Sequence, residues 1–246
     1  MQPHKIYSKQ MSNNYFKFKK FTIEQDGCAM KVGTDGCLLG AWFCCEGCHR
    51  ILDIGAGTGL ISIMAAQRCN AEIVGVEIDC TAAEKAAENV KNSPWSDRIK
   101  IINTDLQKYH PTLPFDCIVS NPPYFTNSLK CDNEQRTLAR HNDSLTPKLF
   151  FSKAKELLLP NGCISLVLPT DTMSEWLEEA LFKGFTPHRT TYIKTTPKKA
   201  PKRVLIELRQ ASCGTPATEH LMLEERPGIY SKEACDLLRD FYLKIE

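Results

Sequence analysis

The stretch "RILDIGAGTGLISIMAAQR", Arg50 to Arg68, passes from an aliphatic run through a glycine-rich turn into helical spacing of Leu60, Ile63, Met64 and Ala66. A short apolar strand, a turn and an apolar-faced helix in direct succession open a βα unit. Gly55, Gly57 and Gly59 let the backbone turn sharply and let a ligand approach without a Cβ clash, while the helix start offers free N–H groups and positive potential. The dinucleotide fingerprint reads G-x-G-x-x-G, whereas these glycines fall as G-x-G-x-G. Asp53, ahead of the glycines, is expected to set a carboxylate near the ligand, which suits a cationic ammonium better than a pyrophosphate.

The alternation continues downstream. "AEIVGVEID" (71–79), "RIKIIN" (98–103), "FDCIVS" (115–120) and "CISLVLP" (163–169) read as strands. Between and after them, "TAAEKAAENVKN" (81–92) reads as a helix opened by a Thr81/Glu84 capping box, "TPKLFFSKAKELL" (146–158) as one capped by Thr146 with Pro147 at its first position, and "TMSEWLEEALFKG" (172–184) as a third. Strands this continuously apolar belong to a parallel sheet covered on both faces, so the expected class is α/β. "FTPHRTTYIKTT" (185–196) and "KRVLIELRQ" (202–210) follow with no helix between them and predict an antiparallel pair closing a sheet of seven strands. Upstream, "YFKFKKFTIEQ" (15–25) alternates and is expected to pair with "CAMKV" (28–32) as a hairpin, giving a small N-terminal extension over residues 1–34 ahead of a main domain over 35–246. "GCLLGAWFCC" (36–45) reads as a helix.

With 246 residues, 42% of them hydrophobic and 24% charged, the chain buries one substantial core. A net charge of +2 neither demands nor excludes a nucleic-acid partner, so a basic footprint has to be local. Lys17, Lys19 and Lys20 form one candidate, and Lys194, Lys198, Lys199, Lys202 and Arg203 another; each also reads as a solvated edge. No apolar run approaches the ~20 residues that span a bilayer, so a cytoplasmic protein without a membrane partner is expected. Its twelve cysteines then read as small buried hydrophobes. Cys45, Cys48 and His49 have the C-x-x-C-H spacing of haem attachment, but no export signal accompanies it and no second ligand pair stands at zinc-site spacing, so packing is the expected role and no metal is assigned. The oligomeric state is not encoded legibly; a monomer is the working expectation.

Two further acids fall at strand ends. Glu77 closes "IVGVE", where a carboxylate accepts from two ribose hydroxyls, and Asp105 follows the next strand, where it can accept from an adenine amino group. Open α/β sheets collect ligands at the carboxyl ends of their strands, and Asp53, Glu77 and Asp105 together describe a nucleoside-like, partly cationic ligand, S-adenosylmethionine. "SNPPYF" (120–125) then follows the buried fourth strand.

The succession "LDIGAGTG", "VEID", "NTD" and "SNPPYF" resembles the Rossmann-like class I S-adenosylmethionine-dependent methyltransferases from about residue 30 onward. "NPPY" is similar to the motif of enzymes that methylate nitrogens attached to conjugated planar systems. Such a nitrogen has a delocalised lone pair and is a poor nucleophile. Acceptors at fixed positions, the Asn121 side-chain oxygen and the Pro122 carbonyl, each take one N–H and stabilise the charge that grows on attack, while Tyr124 offers a face for stacking. The resemblance leaves adenine in tRNA, guanine in ribosomal RNA, adenine or cytosine in DNA and glutamine in release factors as substrates. Only 52 residues precede Asp53, too few for the helical domain that release-factor enzymes usually carry there, and the chain has no room for a DNA-recognition domain. "CAMKVGTDGCLLGAW" (28–42) resembles the N-terminal signature of bacterial tRNA adenine-N6 methyltransferases that act on a valine tRNA beside its anticodon. That resemblance implies a tRNA partner and places Gly33 and Thr34, with Asp35, at the cofactor cleft; a helix N-cap turn is the alternative for them.

Overall fold

The computed structural model describes residues 14–28, 30–123, 145–210 and 214–245. In chain order the first half runs β1 (Tyr15–Lys17), β2 (Thr22–Glu24), α1 (Thr34–Trp42), β3 (Arg50–Ile54), α2 (Leu60–Arg68), β4 (Glu72–Glu77), α3 (Cys80–Lys91), β5 (Ile99–Asn103) and β6 (Phe115–Ser120). The second half runs α4 (Pro147–Leu157), β7 (Leu158–Pro169), α5 (Met173–Phe182), β8 (Phe185–Lys194), β9 (Arg203–Gln210), β10 (Ala217–Met222), β11 (Glu224–Arg226), β12 (Ile229–Tyr230) and α6 (Lys232–Leu238).

The main sheet has the order β10-β8-β9-β7-β6-β3-β4-β5, and β9 alone runs against its neighbours. Alternate residues of each central strand feed two cores. Ile51, Ile73, Cys117 and Val119 pack with α1, α2 and α6 on one face, while Leu52, Val74 and Ile118 pack with Phe150, Phe151 and Trp176 of α4 and α5 on the other. Burial of both faces explains why these strands carry no polar alternation. From β3 the chain crosses to β4 on one side and later to β6 on the other, so a crevice opens where the carboxyl ends of β3 and β6 diverge.

The sheet has eight strands because β10 extends it beyond β8. Its sequence, "ATEHLM", is half exposed and lacks an apolar rhythm; tertiary bonds hold it instead. Arg189 donates to both carboxylate oxygens of Glu219 (3.1 and 3.0 Å), Thr191 donates to Glu219 at 2.7 Å, and the Trp42 indole N–H donates to Thr191 at 3.0 Å.

Two local expectations are corrected. The hairpin pairs β1 with β2 inside "YFKFKKFTIE", and "CAMKV" forms no strand, because a tight turn at Lys19–Lys20 already closes the pair and Phe18 and Phe21 stack at 4.5 Å beneath it. The cap of α3 is Asp79, which accepts from the Ala82 amide at 2.8 Å, so the helix starts before the expected Thr81 box. Thr146 caps α4 as expected, accepting from Leu149 at 3.3 Å with Pro147 behind it. Among the described residues no helix is long and apolar enough to cross a membrane.

Candidate active site

Gly55, Gly57 and Gly59 all have positive φ (73°, 56° and 79°), a backbone that L side chains avoid. Their tasks differ. A Cβ on Gly55 would meet nothing, so that position stays open toward the crevice, whereas a Cβ on Gly59 would touch Ala86 at 3.4 Å, so Gly59 is where α2 and α3 approach. The Gly55 and Ala56 amides donate to the Val76 carbonyl (2.8 and 3.1 Å) and tie the loop to β4.

Below this loop lies a cavity of about 240 Å³. Gly55 and Gly57, the carboxylates of Glu77 and Asp105, and Asn121 all line it. One Glu77 oxygen accepts from the Gly57 amide at 2.8 Å and the other from the Asp79 amide at 2.9 Å. Asp105 accepts from the Gln107 amide at 2.8 Å at the start of a 3-10 turn. Ile78 is 53% exposed although apolar, and with Leu106 and Leu149 it gives the cavity an apolar surface beside those two acids. Acceptors with lone pairs to spare, next to apolar faces, fit a nucleoside with its ribose diol and planar ring.

Asp53 stands elsewhere. It is fully buried behind the loop, does not line the cavity, and accepts from the Ser62 hydroxyl at 2.7 Å, while its other oxygen is buried without a partner. Burial pushes its carboxyl up to about 7, with the Ser62 bonds pulling the other way. Gly33 is the N-cap of α1 and Thr34 its first residue, and neither lines the cavity.

The first turn of α1 instead borders Asn121: a Cβ on Gly36 would lie 3.9 Å from the Asn121 amide nitrogen and 3.2 Å from Leu60. Asp35, in the same turn, accepts from Arg203 of β9 at 2.7 Å. Pro122 is buried and Pro123 lines the cavity, while Tyr124 lies outside the described residues.

Sequence reasoning missed Ser120, whose hydroxyl donates to the Ile54 carbonyl at 2.7 Å and locks the end of β6 to the end of β3. It also missed Ile78, Cys28 and Met30 on the cavity wall. An apolar residue directly after the strand-end acid was a readable signal for Ile78; nothing local marks Cys28 or Met30. The Cys45 and Cys48 thiols turn to separate partners, Cys69 and Cys117. Among the described residues no group of three or more His, Cys, Asp or Glu is arranged to hold a metal ion.

Residues 44–191 match the family described as "Methyltransferase small domain". The chain is similar to the tRNA1(Val) (adenine(37)-N6)-methyltransferase of Parabacteroides distasonis, at 46% identity over 96% of this chain and 100% of that protein. It is also similar to the protein of the same name from Trichodesmium erythraeum, at 43% identity over 95% and 100%. Among solved structures, a predicted O-methyltransferase from Agrobacterium tumefaciens shares the fold, with a TM-score of 0.67 at 21% identity over 84% of this chain and 96% of that one. With identity this high across essentially the whole length, the chain belongs to the tRNA1(Val) (adenine(37)-N6)-methyltransferase family.

Proposed function

We propose that the protein methylates the exocyclic N6 of adenine 37, next to the anticodon of a valine tRNA, with S-adenosylmethionine as methyl donor, in the cytoplasm where tRNA resides. The observation that carries this reading is a single cavity with the Glu77 and Asp105 carboxylates on its wall and Asn121 at the divergence of β3 and β6. The cofactor, when bound, supplies an electrophilic methyl on a sulfonium. Glu77 accepts from the ribose hydroxyls and Asp105 from the adenine amino group, while Ile78 and Leu106 cover the ring. Gly55 and Gly57 leave room for the amino-acid portion, and Gly33, Thr34, Asp53 and Gly59 serve from behind by setting the loop and the start of α1.

On the substrate side, the Asn121 side-chain oxygen and the Pro122 carbonyl accept the two N–H bonds of the target amine as positive charge grows on nitrogen, and Tyr124 stacks on the purine. Neither acceptor takes the proton; it leaves to water after transfer. The chain divides into an extension over residues 1–34, whose described β1–β2 hairpin braces α3 and the C-terminal segment, and a catalytic domain over residues 35–246. The test is incubation of the protein with isotope-labelled S-adenosylmethionine and unmodified bulk tRNA, followed by nucleoside analysis. N6-methyladenosine is expected. Label in N2-methylguanosine or in protein glutamine overturns the assignment.

A further inference from the structure

We infer that the loop between β8 and β9, residues 195–202, is the ridge on which the phosphates of the RNA substrate rest. This inference depends on the RNA reading above and adds the surface that holds the RNA. A flipped base in the cavity cannot by itself distinguish tRNA from free nucleoside, so binding requires backbone contacts outside it.

Topology puts the loop at the correct end. β8 and β7 both run antiparallel to β9, and β7 runs parallel to β6, so Lys194 at the end of β8 lies at the same sheet edge as Asn121. Arg203, at the start of β9, pairs with both Pro169 and Ile193 across the three strands. Lys198, Lys199 and Lys202 are exposed, and none of them forms an ion pair among the described residues.

The loop is also built. Thr170 donates to the Lys202 carbonyl through its amide and to the Pro201 carbonyl through its hydroxyl, both at 3.2 Å. The Lys202 amide donates to Ile193 at 3.2 Å and the Lys199 amide to Thr196 at 3.1 Å. Pro197 and Pro201 fix φ within it. Three cations on a held backbone lose less freedom on binding a polyanion than cations on a slack one.

Charge around the crevice points the same way. Glu77, Asp79 and Asp105 lie on the cavity wall by β4 and β5 and repel phosphates there, whereas the lysines stand beyond β7 on the opposite side. Asp171, Glu224 and Asp35 adjoin the loop: Asp171 follows Thr170, the Glu224 amide donates to the Thr195 carbonyl, and Asp35 pairs with Arg203. In the other basic segment Lys19 is engaged, donating to the Arg239 and Ile245 carbonyls at 2.7 and 2.6 Å, which leaves Lys17 and Lys20 as its remaining exposed cations, fewer than the three on the ridge. At the base of the ridge, the Arg203–Asp35 pair joins it to the α1 turn that borders Asn121, so an RNA held on the ridge is registered against the amine acceptor.

The test measures affinity for unmodified tRNA against salt concentration for wild type, a Lys198→Ala/Lys199→Ala/Lys202→Ala variant, and the matching triple arginine variant. Each lost phosphate contact lowers the magnitude of the log–log slope by about 0.7 to 0.9, so a drop of about two to three is expected for the alanine variant. The arginine variant restores the slope. Unchanged S-adenosylmethionine affinity by calorimetry shows that the alanine variant is folded. A wild type that methylates tRNA with the same slope as the alanine variant overturns the ridge alone. A wild type that neither binds nor methylates tRNA overturns the function proposed above, and the ridge with it.

Discussion

The Gly57 amide donates to Glu77 at 2.8 Å, so the middle of the glycine loop and the end of β4 hold one another. Glu77 therefore shapes the loop, and under the proposed function the same carboxylate also accepts from the cofactor ribose. Glu77→Ala is expected to weaken S-adenosylmethionine binding by about 1 to 3 kcal/mol, because ligand donors and the Gly57 amide both lose their acceptor. Calorimetry reads this directly, and Glu77→Gln, which keeps one acceptor oxygen, should fall between. Equal affinity for all three proteins would show that the carboxylate faces no ligand.

Asn121 should separate chemistry from binding. Asn121→Ala removes the proposed amine acceptor, a contact needed mainly in the transition state, and is expected to lower turnover roughly 10²-fold, about 3 kcal/mol, with little change in cofactor affinity. Single-turnover kinetics on saturating tRNA measures the loss. Near-normal turnover would place the amine acceptor elsewhere.

Asp53 predicts a pH signature. Its folded carboxyl is raised to about 7 from an ordinary 3.8, so the native state holds the proton more tightly than the unfolded chain. Stability contributed by this group is full below about 4, falls as pH rises toward about 7, and is flat above. Asp53→Asn removes the dependence, so the variant should gain on wild type across that window by a few kcal/mol, about 4 at most. Urea unfolding of both proteins over the pH series decides it, and a constant difference would mean that the carboxyl stays ionised when folded.

Gly75 has no room for a methyl group. A Cβ there would sit 2.7 Å from Ile101, 3.0 Å from the Ala56 Cβ and 3.2 Å from the Ser62 hydroxyl. Gly75→Ala is expected to cost about 1 to 3 kcal/mol in urea unfolding. Adding Ile101→Val, which removes the closest clash, should recover part of the loss; no recovery would show that the loop rather than Ile101 sets the limit.

The fold was legible where apolar runs and glycines state it. β3, α2 and β6 lie where the pattern puts them, because a strand buried on both faces and a glycine turn leave little choice. β10 was hidden because its stability comes from Arg189, Thr191 and Trp42, far away in the chain. At the site, Glu77, Asp105 and Asn121 were readable as strand ends, and they meet on one cavity wall. Asp53 was not readable in its true setting: a residue still inside the strand points into the core, and its partner, Ser62, is chosen by the register of α2 against β3. The position of Gly33 and Thr34 depends on how α1 packs, which no local spacing records.

The Lys19 contacts carry a kinetic consequence. The hydrogen bond from Lys19 to the Ile245 carbonyl joins residues 226 apart in sequence, and the Lys19 amide donates to Phe241 at 2.8 Å. During synthesis the aromatic group of Phe16, Phe18 and Phe21 is made early, yet its neighbour Tyr242 is made more than 200 residues later. Until then that patch lacks its C-terminal cover, with Trp95 able to reach only the Phe21 end earlier, and apolar surface left open on a growing chain favours aggregation. Closure of this seam needs residues from both ends of the chain, so the cover of the patch is completed only after residue 245 has been made.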